Sequence, residues 1–127
     1  LERAGVRAEV ALEVINASSG RSNTSMALFP ERVMTRAFPR TFRLALLAKD
    51  AGIAADVARE QRVPSPVLQL TAELMRTAHH ALGDEADHVE AVQLVEQWAR
   101  TIIGAAPAAP AASIAPAVDA AAVVDTT

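Results

Sequence analysis

Residues 41–62 read TFRLALLAKDAGIAADVAREQR and have the spacing of an α-helix. Thr41 suits the N-cap position, so we expect a helix from Phe42 to about Arg62. Its apolar residues spread over most of the helix circumference: Leu44, Leu46, Leu47, Ile53, Ala54, Val57 and Ala58. Because a helix that is apolar on nearly all sides is a buried one, we predict that this helix is the most buried of the fold.

The residues before this helix predict two shorter helical regions. Apolar residues of Ala8–Ala17 recur every three or four positions, and Ser18-Ser19-Gly20 ends the pattern. Ser22 can cap a following short helix, which Pro30 interrupts, and Glu31–Arg36 can add another turn.

The residues after the long helix predict two more helices. Ser65 suits an N-cap and Pro66 a first helical position, and Gly83 ends the pattern that they begin. Asp87 and Glu90 have capping-box spacing ahead of the last helix. The predicted apolar face of that helix consists of Val92, Val95, Ala99 and Ile102. Short connections and the lack of strand patterns predict an all-α fold, a helical bundle.

The composition divides the chain into two parts. A length of 127 residues fits one domain, and residues 1–104 carry the helical patterns. Residues 105–127 repeat alanine and proline, and prolines at that spacing prevent a continuous helix. We therefore predict a helical domain over 1–104 and a disordered tail over 105–127.

Charge and cysteine content exclude several classes of function. A net charge of -3, without a Lys/Arg run, does not suit a nucleic-acid partner. The sequence has no apolar stretch typical of a membrane span and no leader pattern at Leu1. The absence of cysteine excludes disulfides and thiolate chemistry and is compatible with a reducing compartment. We expect a cytoplasmic protein with no membrane or nucleic-acid partner.

Metal and anion sites have weak support in the sequence. His79 and His80 are adjacent, so their side chains point about 100° apart on a helix and do not ligate one metal together. We expect no metal site. Ser18–Ser25 contains hydroxyls and a guanidinium that suit either an anion site or a solvated loop.

Lys49 is the residue whose type most suggests chemistry. It is the only lysine beside eleven arginines, and it lies in the most hydrophobic predicted helix. It either reaches solvent and pairs with Asp50 or a neighbouring carboxylate, or it serves a ligand as a compact positive charge. On one continuous helix Phe42 would lie about 20° from Lys49, so the ring and the ammonium would share a face.

Three segments in this order and spacing carry a resemblance to a known family: Ile15–Ser22, Phe38–Leu44 and Ala48–Asp50. They resemble the C-terminal helical domain of the β-hydroxyacid dehydrogenases, which is similar to that of 6-phosphogluconate dehydrogenase-like enzymes. The family includes 3-hydroxyisobutyrate dehydrogenase, tartronate semialdehyde reductase and L-threonate dehydrogenase. The resemblance extends over about residues 1–103 and includes Val63–Pro66 and Gly83.

The resemblance implies the roles of three residues in binding NAD or NADP. Lys49 would reach the cofactor from a Lys-Asp motif, Phe42 would pack beside the nicotinamide, and Asp50 would orient the wall of the cleft. In the family an N-terminal Rossmann domain binds most of the cofactor, and a long helix carries the catalytic lysine. Because the only lysine of this chain belongs to the Lys-Asp motif, we expect no catalytic residue here and no activity from this chain alone.

The implied function is that of a C-terminal domain which closes the cleft and mediates oligomerisation in an NAD(P)-dependent oxidoreductase. Its N-terminal Rossmann domain would be missing from this chain. The expected substrate is a small hydroxy acid such as 3-hydroxyisobutyrate, a tartronate semialdehyde-type compound or L-threonate, and residues 83–88 are more similar to the threonate branch. The expected partner is a second copy, in a homo-oligomer. The alternative is a non-enzymatic helical dimerisation module.

Overall fold

The structure, a computed structural model, describes residues 1–104 of the chain. These residues form four α-helices, one π-helix and two short 3₁₀ turns. The α-helices are α1 (Ala8–Asn16), α2 (Leu44–Glu60), α3 (Pro66–Leu82) and α4 (Val92–Ala99); the π-helix is Thr24–Val33, and the 3₁₀ turns are Glu2–Ala4 and His88–Ala91. The prediction of an all-α helical bundle is confirmed. The predicted disordered tail, 105–127, lies outside the described residues.

Helices α2 and α3 form an antiparallel hairpin, the largest packing unit of residues 1–104. As predicted, Ser65 is the N-cap of α3 and Pro66 its first residue. The Gln69 side chain donates a hydrogen bond of 2.9 Å to the carbonyl of Ala55 and so ties the two helices together. Helix α3 ends at Leu82, and its C-cap is Gly83. The φ of Gly83 is 87°, which is open to glycine but strained for other residues.

The core lies where the start of α2 meets the end of α3 and the start of α4. Its buried members are Leu44, Ala78, Ala86 and Leu94. Half-buried side chains pack around them: Leu47, Met75, Leu82 and Ala91. Burial of these apolar surfaces stabilises the first turn of α2 by roughly 25 cal/mol per Å² buried.

The prediction that the long helix is the most buried of the fold is wrong for the described residues. Two of the 17 residues of α2 are buried, Leu44 and Ala55, against two of the eight residues of α4, and Ile53 remains 54% exposed. Leu46 and Val57 are also exposed. The reason is geometric: α3 covers one side of α2, and the 3₁₀ turn His88–Ala91 is the other main element packed against it. The apolar residues on the remaining side face outward.

The start of α2 also differs from the prediction. The helix begins at Leu44, and its N-cap residue, Arg43, makes no capping hydrogen bond through its side chain. Thr41 does not cap it: the Thr41 hydroxyl accepts a bond from Arg32 Nη1 at 2.6 Å and donates to the Asp87 carboxylate at 3.0 Å, and it accepts no N–H of α2. Phe42 therefore precedes the helix, and the helical wheel that placed Phe42 and Lys49 on one face does not apply.

The region between α1 and α2 is one element where the sequence predicted two. The bond expected of Ser22 is present, since the backbone N–H of Ser25 donates to the Ser22 hydroxyl at 3.1 Å, but the N-cap residue of the π-helix is Asn23, whose side chain makes no cap bond. The π-helix then continues through Pro30. Proline has no N–H to donate. The helix continues past Pro30 in wider turns, in which an N–H donates to the carbonyl five residues before it, as the Met34 N–H does to the Phe29 carbonyl.

Helix α4 is shorter than predicted and buries a different face. It ends at Ala99, because Arg100 takes a left-handed conformation with φ of 50°. Leu94 and Glu96 are its buried residues, whereas Val95 and Ile102 of the predicted face are exposed. No helix of residues 1–104 is long and apolar enough to cross a membrane.

Candidate functional site

Two short segments pair as antiparallel backbone beside the start of α2. The Leu44 N–H donates to the Ala86 carbonyl at 2.9 Å, and the His88 N–H donates to the Phe42 carbonyl at 2.8 Å. Between them, Arg43 and Asp87 form an isolated bridge. The connection from α3 to α4 therefore fixes the backbone that leads into α2.

The Asp87 carboxylate is the centre of this arrangement, and it is 1% exposed. Its Oδ2 accepts hydrogen bonds from the Thr41 N–H at 2.7 Å, the Thr41 hydroxyl at 3.0 Å and the Phe42 N–H at 2.9 Å. Its Oδ1 accepts the Val89 N–H at 3.1 Å. The predicted capping box with Glu90 is confirmed. One carboxylate thus serves both the 3₁₀ turn after it and the segment before α2.

The environment of Asp87 sets its charge. Burial raises the pKa of the carboxyl. Hydrogen bonds from the backbone of Phe42, Val89 and Thr41 and from the Thr41 hydroxyl lower the pKa by more than burial raises it, to a net value of about 2. The group is therefore an anion at neutral pH, and its oxygens act only as acceptors.

The Phe42 ring lies at the edge of this cluster and remains 38% exposed. The His88 ring meets it edge-on, with centroids 5.6 Å apart and an interplanar angle of 71°. This is a favoured geometry for two aromatic rings. His88 Nδ1 lies 3.0 Å from Asp87 Oδ1 without the alignment of a hydrogen bond. Phe42 is thus held through its backbone by Asp87 and through one ring edge by His88.

A surface groove of about 330 Å³ opens beside Phe42 and contains Leu46 at its wall. Arg40 and Arg43 line it, and both approach the Glu85 carboxylate, at 2.9 Å and 4.0 Å. All three charged side chains are well exposed. The groove therefore combines an aromatic ring, an aliphatic wall and two guanidinium groups that share one carboxylate.

Lys49 lies one turn beyond Leu46 on α2, outside the residues that line the groove. Its side chain is 59% exposed, and its Nζ is 3.0 Å from Asp50 Oδ1. A buried structural pair is therefore excluded. The geometry is that of a lysine that reaches solvent and pairs with Asp50. It leaves the ammonium accessible to a ligand, with Leu46 and Ile53 as neighbours three and four residues away on the helix surface.

The serine-rich loop before the π-helix has a local role. Ser22 and Ser25 bond to each other, through the Ser22 N–H to the Ser25 hydroxyl at 2.8 Å and the Ser25 N–H to the Ser22 hydroxyl at 3.1 Å. These bonds occupy the backbone N–H groups of Ser22 and Ser25, two of the donors that an anion site in this loop would use. Within residues 1–104, no group of three or more His, Asp or Glu could hold a metal ion.

Sequence reasoning identified Asp87 as a cap but not as the residue that holds Phe42. The two are separated by 45 residues, and no local pattern connects them. The contribution of His88 was missed for the same reason. The capping-box spacing is the one available signal, because it marks Asp87 as a residue whose carboxylate faces backbone donors.

Comparison with known proteins gives one family. A protein-family model described as "NAD-binding of NADP-dependent 3-hydroxyisobutyrate dehydrogenase" matches residues 1–95 of the chain. A search of curated proteins gives no match. The match places the chain in a class of proteins, the NAD(P)-binding domains of dehydrogenase-like oxidoreductases, and the domain here is helical. Since it covers 95 of 127 residues, the chain belongs to the 3-hydroxyisobutyrate dehydrogenase-like family.

Proposed function

We propose that residues 1–104 are the C-terminal helical domain of an NAD(P)-dependent dehydrogenase that acts on a small hydroxy acid. The observation that carries the proposal is the surface formed by Phe42, Leu46 and Lys49. Phe42 and Leu46 are exposed side chains of one groove, and Lys49, the only lysine of the chain, is exposed one turn beyond Leu46 on α2.

The residues fit the cofactor that the family binds. A partly exposed aromatic ring and an aliphatic wall suit a planar nicotinamide, and an accessible ammonium suits the negative charge of a dinucleotide. The cofactor, when bound, supplies or accepts the hydride of the reaction. In this proposal Phe42 provides the packing surface, Lys49 provides the positive charge, and Asp50 holds the ammonium over the cleft until the cofactor binds.

The domain contributes no catalytic residue in this proposal. An N-terminal Rossmann domain, joined to this one in the complete enzyme, holds most of the cofactor, and the helical domain closes the cleft over it. Closure excludes water from the reacting atoms. Among candidate substrates, 3-hydroxyisobutyrate, tartronate semialdehyde-type compounds and L-threonate share the small hydroxy-acid chemistry.

The test compares two exposed cations of α2 in the complete enzyme. Lys49→Ala is expected to reduce kcat/KM by orders of magnitude, each tenfold corresponding to about 1.4 kcal/mol of transition-state stabilisation. Arg59→Ala is the control, because Arg59 also forms an exposed ion pair on α2, with Asp56 at 2.6 Å; its further bond to Gln69 Oε1 at 3.0 Å makes it a stringent control for stability. Equal activity of the two variants would contradict the proposal.

We also propose that the domain forms a homo-oligomer. The support is the exposure of large apolar side chains in residues 1–104, among them Val14, Val67, Leu70, Trp98 and Ile102. Val67 and Leu70 are one turn apart on α3, and adjoining exposed apolar side chains mark interaction surfaces. Light scattering should give the mass of a dimer or larger assembly. A monomer that persists at high concentration would count against this proposal.

A stable oligomer without cofactor binding would favour the alternative function, a non-enzymatic dimerisation module.

A further inference from the structure

The contacts around Phe42 have a consequence for cofactor binding. Phe42 lies outside α2, so helix geometry does not fix its ring. Its backbone is held at two atoms: the N–H donates to Asp87 Oδ2 at 2.9 Å, and the carbonyl accepts the His88 N–H at 2.8 Å. Its ring has one aromatic neighbour among the described residues, the edge-on ring of His88.

We propose that Asp87 and His88 are positioning residues for Phe42, which fix its ring at the edge of the groove in the orientation that receives the nicotinamide. The inference rests on the proposed function, because it assigns Phe42 to the cofactor. Neither residue needs to touch the cofactor. Asp87 fixes the backbone before α2, and His88 restricts the ring to a narrow range of orientations.

The two residues are suited to this work by their burial. The Asp87 carboxylate is almost fully enclosed, so water competes little for its hydrogen bonds with the Thr41 and Phe42 backbone. The His88 side chain is 23% exposed, and its ring makes a T-shaped contact with the Phe42 ring. A ring ordered in advance loses less conformational entropy when a ligand binds, and so binds it more tightly.

The experiment measures the Kd of NADPH and NADH in the complete enzyme, from the fluorescence of the reduced nicotinamide. His88→Ala removes the ring contact but keeps the backbone bond to Phe42. It should raise the cofactor Kd several-fold and leave the KM of the hydroxy acid almost unchanged. His88→Phe restores an aromatic edge and should restore the Kd. His80→Ala is the matched control, because His80 is an exposed histidine of α3.

A second set of variants separates positioning from a general loss of structure. Asp87→Asn should raise the cofactor Kd and speed hydrogen exchange at the Phe42 amide, whereas Asp84→Asn, at an exposed carboxylate of the same connection, should do neither. In a Phe42→Ala background, His88→Ala should have no further effect on the Kd, because the residue it positions is gone.

The outcomes distinguish the inference from the proposed function. If Phe42→Ala weakens cofactor binding but His88→Ala behaves like His80→Ala, the positioning role is wrong and the cofactor surface stands. If Phe42→Ala leaves the Kd unchanged, the cofactor role of Phe42 fails and the positioning inference fails with it. If His88→Ala lowers the melting temperature without changing the Kd, His88 is purely structural and the inference is overturned.

Discussion

The Asp87 carboxylate accepts the backbone N–H of Phe42 at 2.9 Å across 45 residues of sequence, and this bond connects the stability of the fold to its candidate site. The same oxygen accepts the Thr41 N–H at 2.7 Å. These N–H groups precede α2, and the Asp87 carboxylate accepts their hydrogen bonds as an N-cap side chain accepts those of the first N–H groups of a helix. Loss of the carboxylate charge should therefore affect both the fold and the surface that Phe42 presents.

Stability should fall in acid because of Asp87. The folded state lowers the pKa of this carboxyl from 3.8 to about 2. A group with a depressed pKa stabilises the fold above the unfolded pKa and loses that contribution as pH falls through the folded value. The free energy of unfolding should therefore decrease by roughly 2 kcal/mol between about pH 4 and pH 2 from this group alone. Urea titrations across that range measure it.

Asp87→Asn is the control for the acid transition. It should lower stability at pH 7, because a neutral amide has one acceptor oxygen in place of two. It should also flatten the pH dependence below pH 4. An acid transition of unchanged size in this variant would assign the effect to other carboxyls.

Arg36 should matter more to stability than most surface arginines. Its guanidinium lies 2.7 Å from Glu96 Oε1, a buried carboxylate that also accepts the Ile103 N–H at 2.8 Å. Arg36→Ala leaves that carboxylate without its counter-charge and should cost roughly 1–3 kcal/mol. Arg76→Ala removes an exposed pair with Glu73 and should cost less than about 1 kcal/mol. Similar losses in the two variants would show that the burial of Glu96 has no energetic weight.

Two glycines should respond to alanine in opposite directions. Gly83 has φ of 87° and ψ of 175° at the end of α3, a region nearly closed to other residues, so Gly83→Ala should lower stability by roughly 1–3 kcal/mol. Gly52 lies inside α2 with open space where a Cβ would stand, so Gly52→Ala should raise stability by roughly 0.5–1 kcal/mol. Thermal melts of both variants decide this. A stabilising Gly83→Ala would mean that the α3 terminus differs from the one described.

The sequence predicted those parts of the fold that depend on local chemistry. The Ser65-Pro66 start of α3, its end at Gly83 and the Asp87 capping box are all present, because each depends on residues within one turn of the chain. The start of α2 was predicted wrongly, since Thr41 has the right residue type for a cap but its hydroxyl accepts a bond from Arg32 and donates one to Asp87.

Burial was predictable only where neighbours could be inferred. The apolar residues of α2 gave no indication that α3 covers a single side of the helix. The outward position of Ile53 follows from tertiary packing, which periodicity does not contain. The same limit applies to the candidate site: the resemblance identified Phe42 and Lys49, but the contact of Phe42 with His88 joins two segments that are distant in sequence.

The most direct test of the cofactor surface uses the reactivity of Lys49. Its side chain is 59% exposed, so it should react readily with an amine reagent such as formaldehyde and borohydride in the cofactor-free complete enzyme, and mass spectrometry of its peptide reports the extent. Saturation with NADPH or NADH should slow the modification of Lys49 several-fold, while exposed lysines elsewhere in the enzyme react as before. An unchanged rate at Lys49 under full cofactor saturation would contradict the assignment of this surface to the cofactor.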